Sequence, residues 1–158
     1  KRPSPETIPA KTKAAGLYMI CTLSKHDAEA NGFDDALMLD WRGRVAEATG
    51  ANIFLVVDGC LHTPIADCFL DGITRRTVIN LADARGIKTV ERIILPKELA
   101  DADEVFVTGT AAEVTPVSQI GEDLQFQVGP ITRQLIEDYT ALINGGADKP
   151  LSASSSSP

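Results

Sequence analysis

The sequence is poor in aromatic residues, which make up 5% of its 158 positions, and it has only two histidines and three cysteines. His26 and His62 have no neighbours at metal-ligand spacing, which argues against a metal site. Cys21, Cys60 and Cys68 are odd in number and show no C-x-x-C spacing. They read as buried free thiols in a reducing compartment rather than as a disulfide framework. Basic residues are outnumbered, 15 against 22 acidic ones, and the net charge is −7. That balance argues against nucleic acid, whose phosphates need a basic face. It leaves small anions open, because local dipoles hold them on an acidic protein as well. No window approaches the apolar length of a membrane span, and no signal-peptide pattern opens the chain. An initiator Met is also lacking. The opening "KRPSPETIPAK" reads as an extended, Pro-rich linker from the middle of a longer polypeptide.

What is present suits one domain with a real core: 158 residues, 44% of them apolar. Apolar and small residues over 15–30 predict a helix stopped by Asn31-Gly32. "ALMLD", "VAEATGANIFLVVDG" and "CLHTP" predict short strands with turns at "WRGR" and Asp58-Gly59. "GITRRTVINLADARG" predicts a helix with Ile73, Val78, Leu81 and Ala82 near one face and Gly86 at its end. A strand at "KTVERIIL" follows, then a short helix at "PKELADA" with Pro in its first turn. "DEVFVTGTAAEVTPVSQI" reads as two strands around a loop at 108–112, and "GPITRQLIEDYTALING" as a closing helix. The expected class is α/β or α+β: a mixed sheet with helices on it, no internal repeat and no strict βαβ alternation. From Gly145 the Gly-, Ser- and Pro-rich tail is expected to be disordered.

Four stretches raise chemistry, each with an ordinary alternative. Lys11 and Lys13 stand just ahead of the small residues Ala14, Ala15 and Gly16. They are either a solvated pair or include an amine that must lose its proton. "LDGITRRTV" sets a Gly before a helix and Thr74 in its first turn, an anion site or a plain helix start. "TGTAAE" offers the hydroxyls of Thr108 and Thr110 and the close backbone approach of Gly109, a phosphate nest or any tight turn. Glu47, before a Gly-containing loop, is a surface carboxylate or the partner of a protonated ring nitrogen. Pyridoxal phosphate (PLP) needs such a partner, a phosphate cradle and a lysine. The chain has a candidate for each.

Together these motifs resemble the class IV aminotransferases, the fold-type IV PLP enzymes, and within them the bacterial branched-chain amino acid aminotransferases. The resemblance runs from about Pro3 to Asn144, with "VAEATGANIF", "LDGITRRTV" and "ADEVFVTGTAAEVTPV" in matching order and spacing. It implies the C-terminal domain of that fold, a mixed sheet or pseudo-barrel with surrounding helices. Residues 1–12 would be the interdomain linker, 13–144 the PLP-binding domain and 145–158 a tail. The resemblance places the Schiff-base lysine on Lys13, because Tyr18, five residues on, falls where the family's tyrosine meets the cofactor's phenolic oxygen. Glu47 falls on the partner of the pyridine nitrogen and Asn52 on a loop asparagine. Leu70 falls on the residue packed against the ring. Gly72, Ile73, Thr74, Gly109 and Thr110 fall on the phosphate cradle, and Thr110, Ala111 and Ala112 where the substrate carboxylate is met. Two positions depart from the family: Ala48 where Gly is usual after the acid, and Asp71 where Pro is usual before the phosphate-turn Gly.

The implied activity is ping-pong transamination between a branched-chain L-amino acid and 2-oxoglutarate, in branched-chain amino acid biosynthesis. The enzyme would be a cytoplasmic homodimer or higher homo-oligomer, without nucleic acid or membrane partners. Its N-terminal domain would be missing from this chain. D-amino acid or (R)-amine aminotransferases, aminodeoxychorismate lyases, or a non-catalytic fragment that pairs with an N-terminal-domain partner remain alternatives.

Overall fold

The computed structural model describes residues 1–10 and 13–145. Lys11 and the tail from residue 146 lie outside the described residues, as do the expectations placed on them. The first helix, α1 (Ala15–Ala30), is followed by four strands: β1 (Leu37–Leu39), β2 (Val45–Ala48), β3 (Asn52–Val57) and β4 (Cys60–Pro64). Helix α2 (Ile73–Ala84) leads to β5 (Thr89–Arg92), and a 3₁₀ helix (Pro96–Asp101) to the hairpin of β6 (Glu104–Gly109) and β7 (Glu113–Pro116). A small pair, β8 (Gln119–Ile120) and β9 (Leu124–Gln125), precedes α3 (Pro130–Ile143). No described helix is long and apolar enough to cross a membrane.

β3 is the hub of a seven-stranded sheet. It runs antiparallel to β6 along most of its length, to β2 at Asn52, and to β4 at Leu55–Val57. Its run of apolar residues follows from burial on both faces. Phe54 and Val56 join Leu61, Val78, Leu81, Phe106 and Leu135 in a core beneath α2 and α3. Phe54 and Phe106 stack there with ring centroids 5.0 Å apart. Ile53 and Leu55 point the other way, into a second core with Val45, Ile94, Leu99, Val105 and Phe126. The sheet curls around this second core, and Val45 N donates to Ile94 O just beyond β5 (2.9 Å). This closure fits the expected mixed, barrel-like class.

Most of the expected elements form, with differences that have local causes. β4 and β5 are parallel, and α2 crosses between them, so the sheet contains one βαβ unit. Thr108 and Gly109 belong to β6, because the ladder to β7 continues through Gly109↔Glu113; the loop is shorter than 108–112. Ile73 does not share the buried face of α2. It is 84% exposed at the helix start, before the helix reaches the sheet, whereas Val78, Leu81 and Ala82 are buried. The opening segment turns rather than extends, with Thr7 N donating to Ser4 O (2.9 Å). All three cysteines are free, Cys21 and Cys68 buried and Cys60 half-buried.

Candidate functional site

Cross-strand partners share a face of a sheet. The pairs Glu47↔Asn52, Asn52↔Thr108 and Thr108↔Val114 therefore set Glu47, Asn52 and Thr108 in one polar row across β2, β3 and β6. The row lies on the face that α2 covers, two residues along from the Phe54–Phe106 stack. Polar residues take over there because the apolar core ends and a cavity of about 320 Å³ begins. The start of α1 and the start of α2 form its other walls.

Ten of the twelve residues expected at the site line this one cavity: Lys13, Tyr18, Glu47, Asn52, Leu70, Gly72, Ile73, Gly109, Thr110 and Ala111. Thr74 and Ala112 do not. Thr74 is buried in the first turn of α2, and Ala112 lies further along the β6–β7 loop, where its carbonyl accepts from Thr115 Oγ1 (2.5 Å). Lys13 is exposed and sits at φ 50°, a left-handed conformation uncommon for a residue with a side chain. Such strain persists where surrounding structure over-determines it, and it gathers at functional sites.

Glu47 is the electrostatic centre. It is 8% exposed, and burial pushes its carboxyl up to about 8 despite the Arg2 guanidinium beside it. Arg2 Nε is 3.2 Å from Glu47 Oε1, yet it is not directed as a hydrogen bond, and among the described residues Nε has no hydrogen-bond partner. The guanidinium is held from elsewhere: Nη1 donates to Leu17 O (3.2 Å) and Cys21 Sγ (3.0 Å). Among the described residues, the side-chain hydrogen bond that Glu47 does accept, from Asn52 Nδ2, is at the limit of 3.5 Å. The carboxyl therefore has room for an N–H donor from the cavity. Arg2 was not singled out from the sequence. It lies in the segment read as a linker, and no local pattern announces contact with a residue 45 positions away.

The hydrogen-bonding groups of Asn52 are turned toward the chain. Nδ2 donates to Leu70 O (2.9 Å), and Oδ1 accepts from Gly72 N (3.2 Å). Asn52 thus clamps the turn that starts α2. A Cβ on Gly72 would lie 2.6 Å from Asn52 Oδ1, so the clamp requires glycine there. The clamp leaves the first-turn amides of α2 beyond Gly72 without intrahelical acceptors, at the positive end of the helix dipole. A Cβ on Gly109 would lie 3.0 Å from Gly50 O, so glycine also lets β6 approach the turn after Glu47. Asp71 is turned to the back of the turn, outside the cavity wall. It accepts from Arg75 Nη1 and Arg76 Nε, both at 2.8 Å, so its charge is neutralised. Arg75, 1% exposed, also donates to Pro64 O (3.0 Å) and Glu91 Oε2 (2.6 Å).

A buried acid, an amine, the start of α2 and the β6–β7 turn converge on one cavity. Residues 1–120 match the family described as amino-transferase class IV. The chain belongs to the class IV aminotransferases. The Pseudomonas aeruginosa branched-chain-amino-acid aminotransferase is 42% identical over 137 residues, covering 85% of this chain and 45% of that protein. A probable branched-chain-amino-acid aminotransferase of Aquifex aeolicus is 43% identical over 149 residues, covering 92% and 48%. Among solved structures, the Thermoproteus uzoniensis branched-chain aminotransferase with norvaline superposes with a TM-score of 0.90 at 41% identity, covering 94% of this chain and 50% of that one. A T.th. branched-chain amino acid aminotransferase with pyridoxamine 5'-phosphate gives 0.85 at 39%, covering 93% and 50%. The chain spans about half the length of these class IV relatives.

Proposed function

We propose that the protein is a PLP-dependent aminotransferase that moves the amino group between a branched-chain L-amino acid and 2-oxoglutarate in two alternating half-reactions. The observation that carries this reading is Glu47: a buried carboxyl, raised to about 8, with unfilled hydrogen-bonding capacity, in the same cavity as Lys13. A group with a protonated ring nitrogen fits it, because the ring's N–H and charge would restore the carboxylate. PLP, when bound, supplies an electron sink that the protonated ring nitrogen makes effective.

The chain's own residues then have distinct tasks. Glu47 holds the proton on the ring nitrogen. Lys13 would hold the cofactor covalently, and its Nζ, when free, would serve as the base toward the substrate's α-proton. Tyr18 would donate to the cofactor's phenolic oxygen, and Leu70 would pack against its ring. The first-turn amides at Ile73 and Thr74, with Thr110, hold the phosphate. Ala111 and Ala112 offer backbone N–H groups to a carboxylate.

The exposed apolar side chains Tyr18, Met19, Leu23 and Ile73 stand on α1 and at the start of α2, and Tyr18 and Ile73 line the cavity. Together with the greater length of the relatives, they support a reading in which a further region of the protein closes this wall and excludes water. We further infer a cytoplasmic homo-oligomer, as the family resemblance implies. Mixing the cofactor-loaded complete protein with L-leucine, L-isoleucine or L-valine alone tests the function. One equivalent of 2-oxo acid is expected before any acceptor is added. Reaction only with D-amino acids or amines would move the protein to another class IV activity, and no reaction with any amine donor would refute the proposal.

A further inference from the structure

Thr108 has no task in the proposed function, yet it ends the polar row. It is fully buried, lines the cavity and pairs across the sheet with Asn52. Its hydroxyl Oγ1 has no hydrogen-bond partner among the described residues. The contrast with Thr63 is direct. Thr63 is equally buried in the same sheet, and its hydroxyl donates to Ile53 O (2.9 Å). Buried hydroxyls without a partner carry a desolvation penalty and are uncommon. Two other buried threonine hydroxyls, on Thr89 and Thr132, are also unpaired, but neither residue lines this cavity.

The position of Thr108 indicates which end of a ligand it would meet. Strands lie ~4.8 Å apart, so Thr108 stands about 10 Å from Glu47 along the row. Asn52, between them, is clamped to the turn that starts α2. Thr108, on β6, and Thr110, in the turn just past the strand's end, both line the cavity and so address the same space. The carboxyl that suits a ring nitrogen is at one end of the row, and the unpaired hydroxyl is at the other, in the same cavity as the start of α2 and the β6–β7 turn.

We propose that Thr108 Oγ1 is a further phosphate-binding group, donating a hydrogen bond to the phosphate of the bound cofactor directly or through one water. This rests on the PLP reading above and adds a residue to it. No covalent step is involved.

The test is Thr108→Val, which keeps the shape and removes the hydroxyl, in the complete protein stripped of cofactor. Affinities are measured for PLP, for phosphate-free pyridoxal and for inorganic phosphate as a competitor of PLP, together with the cofactor-free melting midpoint. PLP and phosphate affinities are expected to fall roughly tenfold to a hundredfold, the range for a hydrogen bond to a charged group. Pyridoxal affinity should hold, and the cofactor-free midpoint should stay level or rise, since an unpaired buried hydroxyl is gone. Thr108→Ser, which restores the hydroxyl, should recover most of the PLP affinity. Equal PLP affinity in wild type and Thr108→Val would overturn the proposal while leaving the PLP reading intact. Equal losses for PLP and pyridoxal, or a variant too unstable to bind either, with no recovery in Thr108→Ser, would make Thr108 structural. A wild type that binds no PLP would remove both.

Discussion

Glu47→Gln should change how the cofactor-free protein responds to pH. The buried carboxyl titrates at about 8 instead of its ordinary 4.5, because burial disfavours its charge more than Arg2 favours it. A carboxyl whose folded value exceeds its unfolded value binds more protons when folded. Its contribution to stability is therefore complete below 4.5 and is lost as pH rises toward 8. At ~1.4 kcal/mol per pH unit, the gap is worth ~5 kcal/mol across that window. Glutamine keeps the size and carries no charge, so the variant lacks this slope. Other groups titrate nearby: burial lowers His62, with Arg92 adding to the effect, and burial raises the Cys21 thiol. His62 is common to both proteins and cancels in the difference; the Cys21 thiol, raised from 9.0 by burial and in part by Glu47 itself, stays above the pH range measured. Urea unfolding of both cofactor-free proteins from pH 5 to 8.5 measures it. Wild type is expected to lose stability relative to Glu47→Gln as pH rises, with most of the change between pH 5 and 8. Parallel curves would refute the argument that Glu47 is held near neutrality by its burial.

Other outcomes follow from the same cavity. Thr110→Ala should weaken PLP binding roughly tenfold to a hundredfold, whereas Thr74→Ala should do less, because Thr74 is outside the cavity wall; equilibrium dialysis with PLP separates them. Asn52→Ala should release the turn that starts α2, lowering stability by about 1–3 kcal/mol through lost and orphaned hydrogen bonds; chemical denaturation reads the loss, and cofactor affinity should fall with it. Glu47→Gln should still bind PLP covalently but slow the leucine half-reaction, since an amide does not keep the ring nitrogen charged; single-turnover mixing at wild-type speed would count against that role.

The helices and most strands were legible because their periodicity, turns and end signals agree, as in α2 from Gly72 to Gly86. Glu47 and Lys13 were legible only through the resemblance, since a carboxylate in a short strand and a lysine before a helix are ordinary by themselves. Arg2 escaped because an ion pair between residues far apart in the chain leaves no local pattern. The clamp role of Asn52 escaped for the same reason: its partners, Leu70 and Gly72, come from the far side of β4. Asp71 shows in the sequence only as a departure from the family's proline; its pairing with Arg75 and Arg76, which neutralises the extra carboxylate, emerges only in the structure. Ile73 fits the apolar face of α2 by count, but the helix begins over the cavity, so its first residue has no sheet beneath it.

The central claim is that Lys13 carries the cofactor beside Glu47. Borohydride reduction of the PLP-loaded complete protein, followed by digestion and peptide mapping, tests it most directly. The pyridoxyl group is expected on Lys13 and absent from Lys13→Ala, with Lys11→Ala labelled like wild type. A pyridoxyl group on Lys11, or no labelled lysine in this chain, would contradict the account.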